Sequence, residues 1–239
     1  MFFEFLWILA ILVIVVLICY VPKNKEDIFA MLTALYCTMA VVAAIAATKM
    51  ISVFGFFVPG GVIIYAASFL ITDLISEVHS KKAAVKTVYC GFVSMLIFAG
   101  YSLLIARWEP APFYADQNAF AMVVGLSFRI TMAGWISFMV SQYWDVTVFH
   151  QLKKSSKKFI SEHLWVRNCG STITSQFIDS VLFISIAFYG IYDIWPLIIS
   201  QYIIKVIIAF LDTPFVYWGR YVLNRKKSDV MTQNYNDNI

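Results

Sequence analysis

Residues Phe2–Tyr20 read FFEFLWILAILVIVVLICY, an apolar run interrupted by a single charge, Glu4. Its length matches the roughly 20 residues that an α-helix needs to cross the hydrocarbon core of a bilayer. The apolar side chains are continuous rather than alternating, which favours a helix over a strand of a membrane barrel. No basic region precedes the run and no small-residue cleavage pattern follows it before Pro22, so we expect a retained transmembrane helix.

The rest of the chain has the same apolar character. Of its 239 residues 61% are hydrophobic and 13% are charged, and the mean hydropathy of +0.78 lies outside the usual range of soluble domains. We predict an all-α, polytopic transmembrane helix bundle of about seven helices within residues 1–223, followed by a polar, disordered cytoplasmic tail at residues 224–239. The predicted spans are Phe2–Tyr20, Phe29–Ile51, Phe54–Glu77, Ala84–Ala106, Phe120–Phe149, Asn168–Tyr189 and Ile194–Leu223.

Lysine and arginine residues concentrate in alternate connections between these spans. Because short cytoplasmic loops retain positive charge, the pattern predicts a multi-pass protein of the cell inner membrane with its N-terminus outside and its C-terminus in the cytoplasm. A lipid-binding or nucleic-acid-binding patch at Lys153–Lys158 is the weaker alternative. The basic residues assigned to the cytoplasmic side are Lys23, Lys25, Lys81, Lys82, Lys86, Lys153, Lys154, Lys157, Lys158, Arg167, Arg220, Arg225, Lys226 and Lys227.

Several ionisable side chains fall inside the predicted spans, where each costs at least about 2.5 kcal/mol on insertion scales. The acids outnumber the bases, so protons, water or a ligand that carries hydrogen-bond donors must satisfy the surplus. The alternative is an ion-pair network that only fixes helix packing. These residues are Asp73, Glu77, Arg129, Asp145, Asp179, Lys205 and Asp212.

A repeated segment is the strongest internal pattern. Ser141–Phe149 reads SQYWDVTVF and Ser175–Phe183 reads SQFIDSVLF, so both copies have Ser, Gln, Asp and Phe at the same spacing. Gln and Asp are three residues apart in each copy and therefore share a helix face. The copies flank a basic loop on antiparallel helices, so we expect both pairs at a similar depth, nearer the cytoplasmic side, in a shared polar chamber.

Proline and glycine indicate irregular backbone beside these residues. Lys205 and Asp212 lie two turns apart on one helix face, and Pro214 frees a backbone carbonyl, as in the kinked or broken helices of transporter sites. Pro59-Gly60-Gly61 permits a close backbone approach or a short unwound turn, with a surface loop as the alternative.

Carboxylates and glutamine amides suit a ligand that is rich in N–H donors. A guanine-type edge donates through its ring N–H and amino groups and accepts at its carbonyl, which complements this residue set. Aromatic rings are so common in this chain, at 17%, that their proximity alone does not indicate a function. The rings considered for stacking are Tyr65, Phe69, Tyr143, Trp144, Phe177 and Tyr202.

At these residues the sequence resembles the queuosine-precursor transporter family, also called the vitamin uptake transporter family. The resemblance extends from the second helix to the end of the seventh, which implies a six-helix core preceded by one extra N-terminal helix. Val78-His79-Ser80 departs from the family pattern, in which an aromatic residue and Gly follow the glutamate. The matching residues are Thr72–Glu77 (TDLISE), Ser141, Gln142, Asp145, Phe149, Trp165–Asn168 (WVRN), Ser171, Thr172, Ser175, Gln176, Asp179, Ser180, Lys205, Asp212–Pro214 (DTP) and Tyr217.

The resemblance implies import of a 7-deazaguanine for tRNA modification: the cyano or aminomethyl precursor of queuosine, or queuine. The chain would be a transporter and not an enzyme, without cofactor or metal, with a small-molecule base and membrane lipid as partners and no direct contact with nucleic acid. Formation of a homo-oligomer is left open. The residues expected to bind the base or line its path are Asp73, Glu77, Gln142, Asp145, Asn168, Gln176, Asp179, Lys205 and Asp212.

Three other functions remain open from the sequence. A retinal-binding photoreceptor would use Lys205 for a Schiff base and Asp73 as its counter-ion. An intramembrane hydrolase would need Asp145 and Asp179 to share one proton. The chain has no P-loop, so an ATP-driven mechanism would make it the substrate-binding subunit of a larger vitamin uptake complex. The small residues considered for docking to such a complex are Ala40, Ala43, Ala44 and Ala47.

Overall fold

The computed structural model describes residues 2–21, 24–124, 128–155, 163–190 and 193–236. Within these ranges the chain is helical apart from one short hairpin and its connections. The helices are α1 (Phe2–Ile18), α2 (Lys25–Ala46), α3 (Val62–Val78), α4 (Lys81–Arg107), α5 (Gln117–Val124), α6 (Phe128–Lys153), α7 (Leu164–Phe188) and α8 (Ile194–Asn236), and the strands are β1 (Met50–Val53) and β2 (Phe56–Pro59).

Helix α3 lies at the centre of the bundle. It packs against α1, α2, α4, α6, α7 and α8, and most of its side chains from Ala66 to Ser76 are buried. Peripheral helices instead expose large apolar side chains: on α4 these include Val93, Ile97 and Tyr101. An apolar outer surface around a partly polar centre is the arrangement that a lipid environment favours.

Four described helical segments are long and apolar enough to cross a bilayer: Glu26–Ala46, Lys81–Arg107, Cys169–Phe188 and Ile194–Val222. Helix α3 has only 17 residues, a rise of about 25 Å. The helical membrane architecture predicted from the sequence is confirmed in this coarse form. The count of seven crossings stays a prediction.

A hairpin separates α2 from α3, where the sequence predicted a helix that begins at Phe54. Strands β1 and β2 pair antiparallel, with Met50 opposite Pro59 and Val53 opposite Phe56. Phe54 and Gly55 form the turn with φ of 52° and 84°, the left-handed values of tight hairpin turns. The third span therefore begins at Val62, and the prediction was wrong because the strands are as apolar as the neighbouring helices.

At Pro59-Gly60-Gly61 the backbone before α3 contacts the backbone at the end of α2. This is the close backbone approach that the sequence permitted. A Cβ atom on Gly60 would lie 2.8 Å from the carbonyl oxygen of Ala46, and one on Gly61 would collide with the carbonyl oxygen of Ala43. Glycine at both positions lets the start of α3 pack directly against the end of α2.

Two further boundaries differ from the sequence-based spans. The predicted fifth span, Phe120–Phe149, consists of the separate helix α5, which packs on α4, and the long helix α6. Helix α8 is continuous through Pro214 and is not broken there. It also continues to Asn236, so the backbone beyond residue 223 is helical here, and the predicted disorder of the tail stays a prediction.

Candidate functional site

The repeated segments of α6 and α7 pack against each other in a reciprocal way. Ser141 Oγ lies 3.0 Å from Oδ1 of Asp179, and Ser175 Oγ donates to Oδ1 of Asp145 over 2.8 Å. The serine of each copy thus binds the aspartate of the other, as in a local two-fold arrangement. The two aspartates consequently lie about four residues, or 6 Å, apart along the helices, while the two Gln–Asp pairs overlap in depth.

The first polar group, called here the cavity-side cluster, consists of Tyr65, Ser141, Asp179 and Lys205. The Tyr65 hydroxyl donates to Oδ1 of Asp179 over 2.9 Å, and Lys205 Nζ forms an ion pair with Oδ2 of the same carboxylate. Lys205 Nζ also lies 5.1 Å from the centre of the Tyr65 ring, a cation–π distance. The cluster joins α3, α6, α7 and α8, and it neutralises the buried charge of Asp179.

This cluster borders an open cavity of about 840 Å³, its mouth included. Pockets for small ligands commonly have several hundred Å³, mostly apolar walls and a few polar groups. Here the walls come from α2, α4, α5 and the hairpin side of α3, and the polar groups include Tyr65, Ser137, Asp179, Gln201 and Lys205. The cavity lies where α2 ends and α3 begins.

The second group, the central cluster, consists of Asp73, Asp145 and Asp212. They come from α3, α6 and α8, and their side chains are 1%, 0% and 0% exposed. The carboxyl group of Asp73 interacts electrostatically with both of the others. Asp145 is bonded to Ser175, whereas neither oxygen of Asp73 has a hydrogen-bond partner among the described residues.

Gln142 and Gln176 lie between these two clusters along α6 and α7. Both side chains are completely buried, and neither amide nitrogen nor amide oxygen has a hydrogen-bond partner in the described part of the chain. Buried polar groups are nearly always bonded, because leaving one unsatisfied costs about 1–3 kcal/mol. The two amides are therefore strong candidates for contact with a polar ligand.

The third group, the basic-end cluster, surrounds Glu77 at the C-terminal end of α3. Its carboxylate binds Arg167 over 3.0 Å, Lys153 over 3.1 Å and Arg220 over 3.4 Å. These cations come from α6, α7 and α8, so four helices are tied together at the end opposite the cavity. Arg167 and Lys153 were interpreted from the sequence as loop charges, yet Arg167 is only 3% exposed.

The structure therefore distributes the predicted site residues over three levels. Asp179 and Lys205 belong to the cavity side, Gln142 and Gln176 lie next to them, Asp73, Asp145 and Asp212 form the centre, and Glu77 marks the basic end. The side chain of Asn168 lies outside the described residues. Lys205 and Asp212, predicted to act together on one face of α8, belong to different clusters.

Among the aromatic candidates only Tyr65 reaches the polar groups as a hydrogen-bond donor. Phe69 is fully buried in the apolar core, whereas Tyr143, Trp144 and Phe177 are about half exposed on the outer surface of the bundle. The sequence suggested Tyr65 only as a stacking ring. Its spacing of eight residues from Asp73, about two helical turns, is a signal in the sequence that could have indicated a polar role.

A helical membrane bundle with a ligand-sized cavity and a column of buried ionisable side chains is typical of membrane transporters. Residues 59–219 match the family described as "Putative vitamin uptake transporter". The chain is also 30% identical, over 229 residues, to the "Probable queuosine precursor transporter" of Bacillus subtilis (strain 168), an alignment that covers 93% of this chain and 97% of that protein. No solved structure shows significant similarity to it.

The chain belongs to the vitamin uptake transporter family. It is accordingly a multi-pass integral membrane transporter and not an enzyme. The resemblance inferred from the polar motifs is thereby confirmed. The family match includes every residue of the three clusters except Arg220.

Proposed function

We propose that this protein imports queuosine precursors, 7-deazaguanine bases such as the cyano or aminomethyl compound, or queuine, for modification of tRNA. The observation that carries the proposal is the pair of fully buried glutamine amides, Gln142 and Gln176, without partners among the described residues. The name of the B. subtilis relative, a probable queuosine precursor transporter, supports the same substrate class.

The chemistry of the site fits such a base. Each glutamine offers two N–H donors and a carbonyl acceptor, which complement the carbonyl, ring N–H and amino groups of a guanine-type edge. Asp179 adds a carboxylate whose negative charge is already balanced by Lys205. The base would leave the cavity, bind first beside Asp179 and Tyr65, and then pair with the two amides.

The bundle is open at one end and closed at the other, which supports an alternating-access mechanism. The cavity opens beside the start of α3, whereas the basic-end cluster holds α3, α6, α7 and α8 together at its other end. If the basic side is cytoplasmic, this conformation faces outward. Import would then require the ion pairs of Glu77 to separate, so Glu77 acts in gating rather than in contact with the base.

The rival functions receive less support from the contacts of the same residues. Ala40 and Ala43, considered for docking to an ATPase complex, are buried between helices and line the cavity. Lys205, the retinal candidate, is bound to Asp179. Asp145 and Asp179, the hydrolase candidates, are bonded to different serines of the repeat.

The decisive experiment measures queuosine in tRNA of cells that cannot make the precursors and receive each deazaguanine at low concentration. We expect the wild-type protein to restore queuosine with at least one base, and Asp179→Asn to lower it strongly. Asp116→Asn, the same change at an exposed acid, should behave like the wild type. No restoration with any base, despite confirmed expression in the membrane, would refute the substrate assignment.

A further inference from the structure

We propose that Asp73 and Asp145, with Asp212 beside them, form a proton-binding site that couples import to an inward proton gradient. The proposal rests on the proposed import function and names the ion that drives it. It is carried by the geometry of the central cluster, which the contact with the base does not use.

Two carboxyl groups of the central cluster, those of Asp73 and Asp145, have no lysine or arginine partner among the described residues. Asp73 and Asp145 are 1% and 0% exposed. Two buried bases of the neighbouring helices are already engaged, since Lys205 of α8 binds Asp179 and Arg167 of α7 binds Glu77. No base of the described residues is therefore left to neutralise Asp73 or Asp145, whereas a proton from water would do so.

A proton fits this position better than a metal ion. Among the described residues no three acid, histidine or cysteine side chains converge closely enough to hold a metal. Adjacent buried carboxyl groups do not all ionise together, because like charges repel strongly in a low dielectric, and they share protons instead. A proton shared by the two carboxyl groups would also join Asp73 to Asp145 by a hydrogen bond, which the oxygens of Asp73 lack among the described residues.

Other titratable groups face the pair from the surrounding helices. Tyr36 of α2 approaches Asp145, Cys169 of α7 approaches Asp73, and Asp212 of α8 approaches Asp73. The phenol and the thiol are neutral at physiological pH, so they supply no positive charge. Asp212 adds a further acidic group beside Asp73.

The position of the pair explains how proton and base would move together. Ser175, which binds Asp145, is followed directly by Gln176, and Gln142 lies one turn before Asp145 on α6. Opening the basic end would draw α3 away from α6 and α8, and so would separate Asp73 from its neighbours. The O–H bond of the protonated carboxyl then breaks, the proton passes to cytoplasmic water, and no bond of the base changes.

The test uses the purified protein in liposomes with labelled 7-cyano-7-deazaguanine. Uptake is measured under three conditions. The first has an acid exterior, the second has an inward sodium gradient, and the third has no gradient and measures exchange against unlabelled base. We expect the acid exterior alone to cause accumulation, with a limit of about tenfold per pH unit for one proton per base. Asp73→Asn and Asp145→Asn should bring the ratio of uptake with and without the gradient to one, whereas Asp116→Asn keeps the wild-type ratio.

The outcomes separate this proposal from the proposed function. Exchange that is intact but insensitive to the proton gradient would overturn proton coupling and leave the import function standing. Stimulation by sodium instead of protons would overturn it in favour of a sodium site. Absence of uptake and exchange in every arm would overturn both proposals. If one aspartate variant does not fold, the other variant and the wild-type gradient arms still decide the question.

Discussion

The ion pair between Lys205 and Asp179 is the residue-level feature on which the stability of the polar centre depends. Both side chains are nearly fully buried, and each neutralises the other. Removal of one partner leaves an isolated charge in a low-dielectric interior, which typically costs about 3–5 kcal/mol. Removal of both leaves two neutral groups and costs much less.

We therefore expect Lys205→Met to lower the free energy of unfolding by about 3–5 kcal/mol and to abolish uptake. The double variant Lys205→Met with Asp179→Asn should recover most of the stability but not the uptake. Thermal unfolding in detergent and uptake assays on the same preparations measure the two effects. Equal destabilisation of the single and double variants would show that the pair is not the source of the effect.

At the level of helices, the contacts of Glu77 decide whether the basic end is closed. One carboxylate holds cations from α6, α7 and α8, and Cys169 lies on α7 just beyond Arg167, with its thiol 3.4 Å from the Thr213 hydroxyl. Cys169 is only 7% exposed in this closed arrangement. Its reactivity is therefore a natural reporter of opening.

We expect Glu77→Gln to weaken the three ion pairs and to raise several-fold the labelling rate of Cys169 by a membrane-impermeant maleimide in inside-out vesicles. Cys19, Cys37 and Cys90 are first replaced by alanine, so that Cys169 reports alone. Glu26→Gln, at an exposed acid in the first turn of α2, serves as the control. An unchanged rate in Glu77→Gln would argue against gating at this end.

At the level of the whole molecule, the three clusters follow one another in the same order on α3, α6 and α8. From cavity to basic end, α3 carries Tyr65, Asp73 and Glu77, and α8 carries Lys205, Asp212 and Arg220. The column spans roughly 18 Å, measured as twelve residues of α3. This is a substantial part of the thickness of a bilayer core, which suits a transport path across the membrane.

The order of the clusters along the helices also places each loop at either the cavity end or the basic end of the bundle. We expect Ser52→Cys in the hairpin to be labelled from outside the cell and Lys82→Cys at the start of α4 only from the cytoplasm. Both positions are exposed, and the native cysteines are removed first. Labelling of Asp193→Cys from outside would add support for a cytoplasmic C-terminal end of α8. The opposite pattern would reverse the orientation inferred from the basic loops.

The sequence by itself determined the helical membrane class, the family and most of the polar residues that line the centre. These conclusions depend on composition and local spacing, since continuous apolar runs and Gln–Asp pairs three residues apart are visible in one dimension. The hairpin before α3 was missed because strand and helix share the same apolar residues there. The helix boundary near Phe54 therefore needed the three-dimensional pairing of β1 with β2.

Only the tertiary structure decided which buried charges meet. Lys205 pairs with Asp179 of α7 rather than with Asp212 of its own helix, Glu77 is enclosed by three cations, and each serine of the repeat binds the aspartate of the other copy. These pairings depend on the crossing and relative depth of helices that are far apart in sequence. A side-chain pattern fixes the face of a helix, but its partner across the bundle depends on how that helix packs against its neighbours.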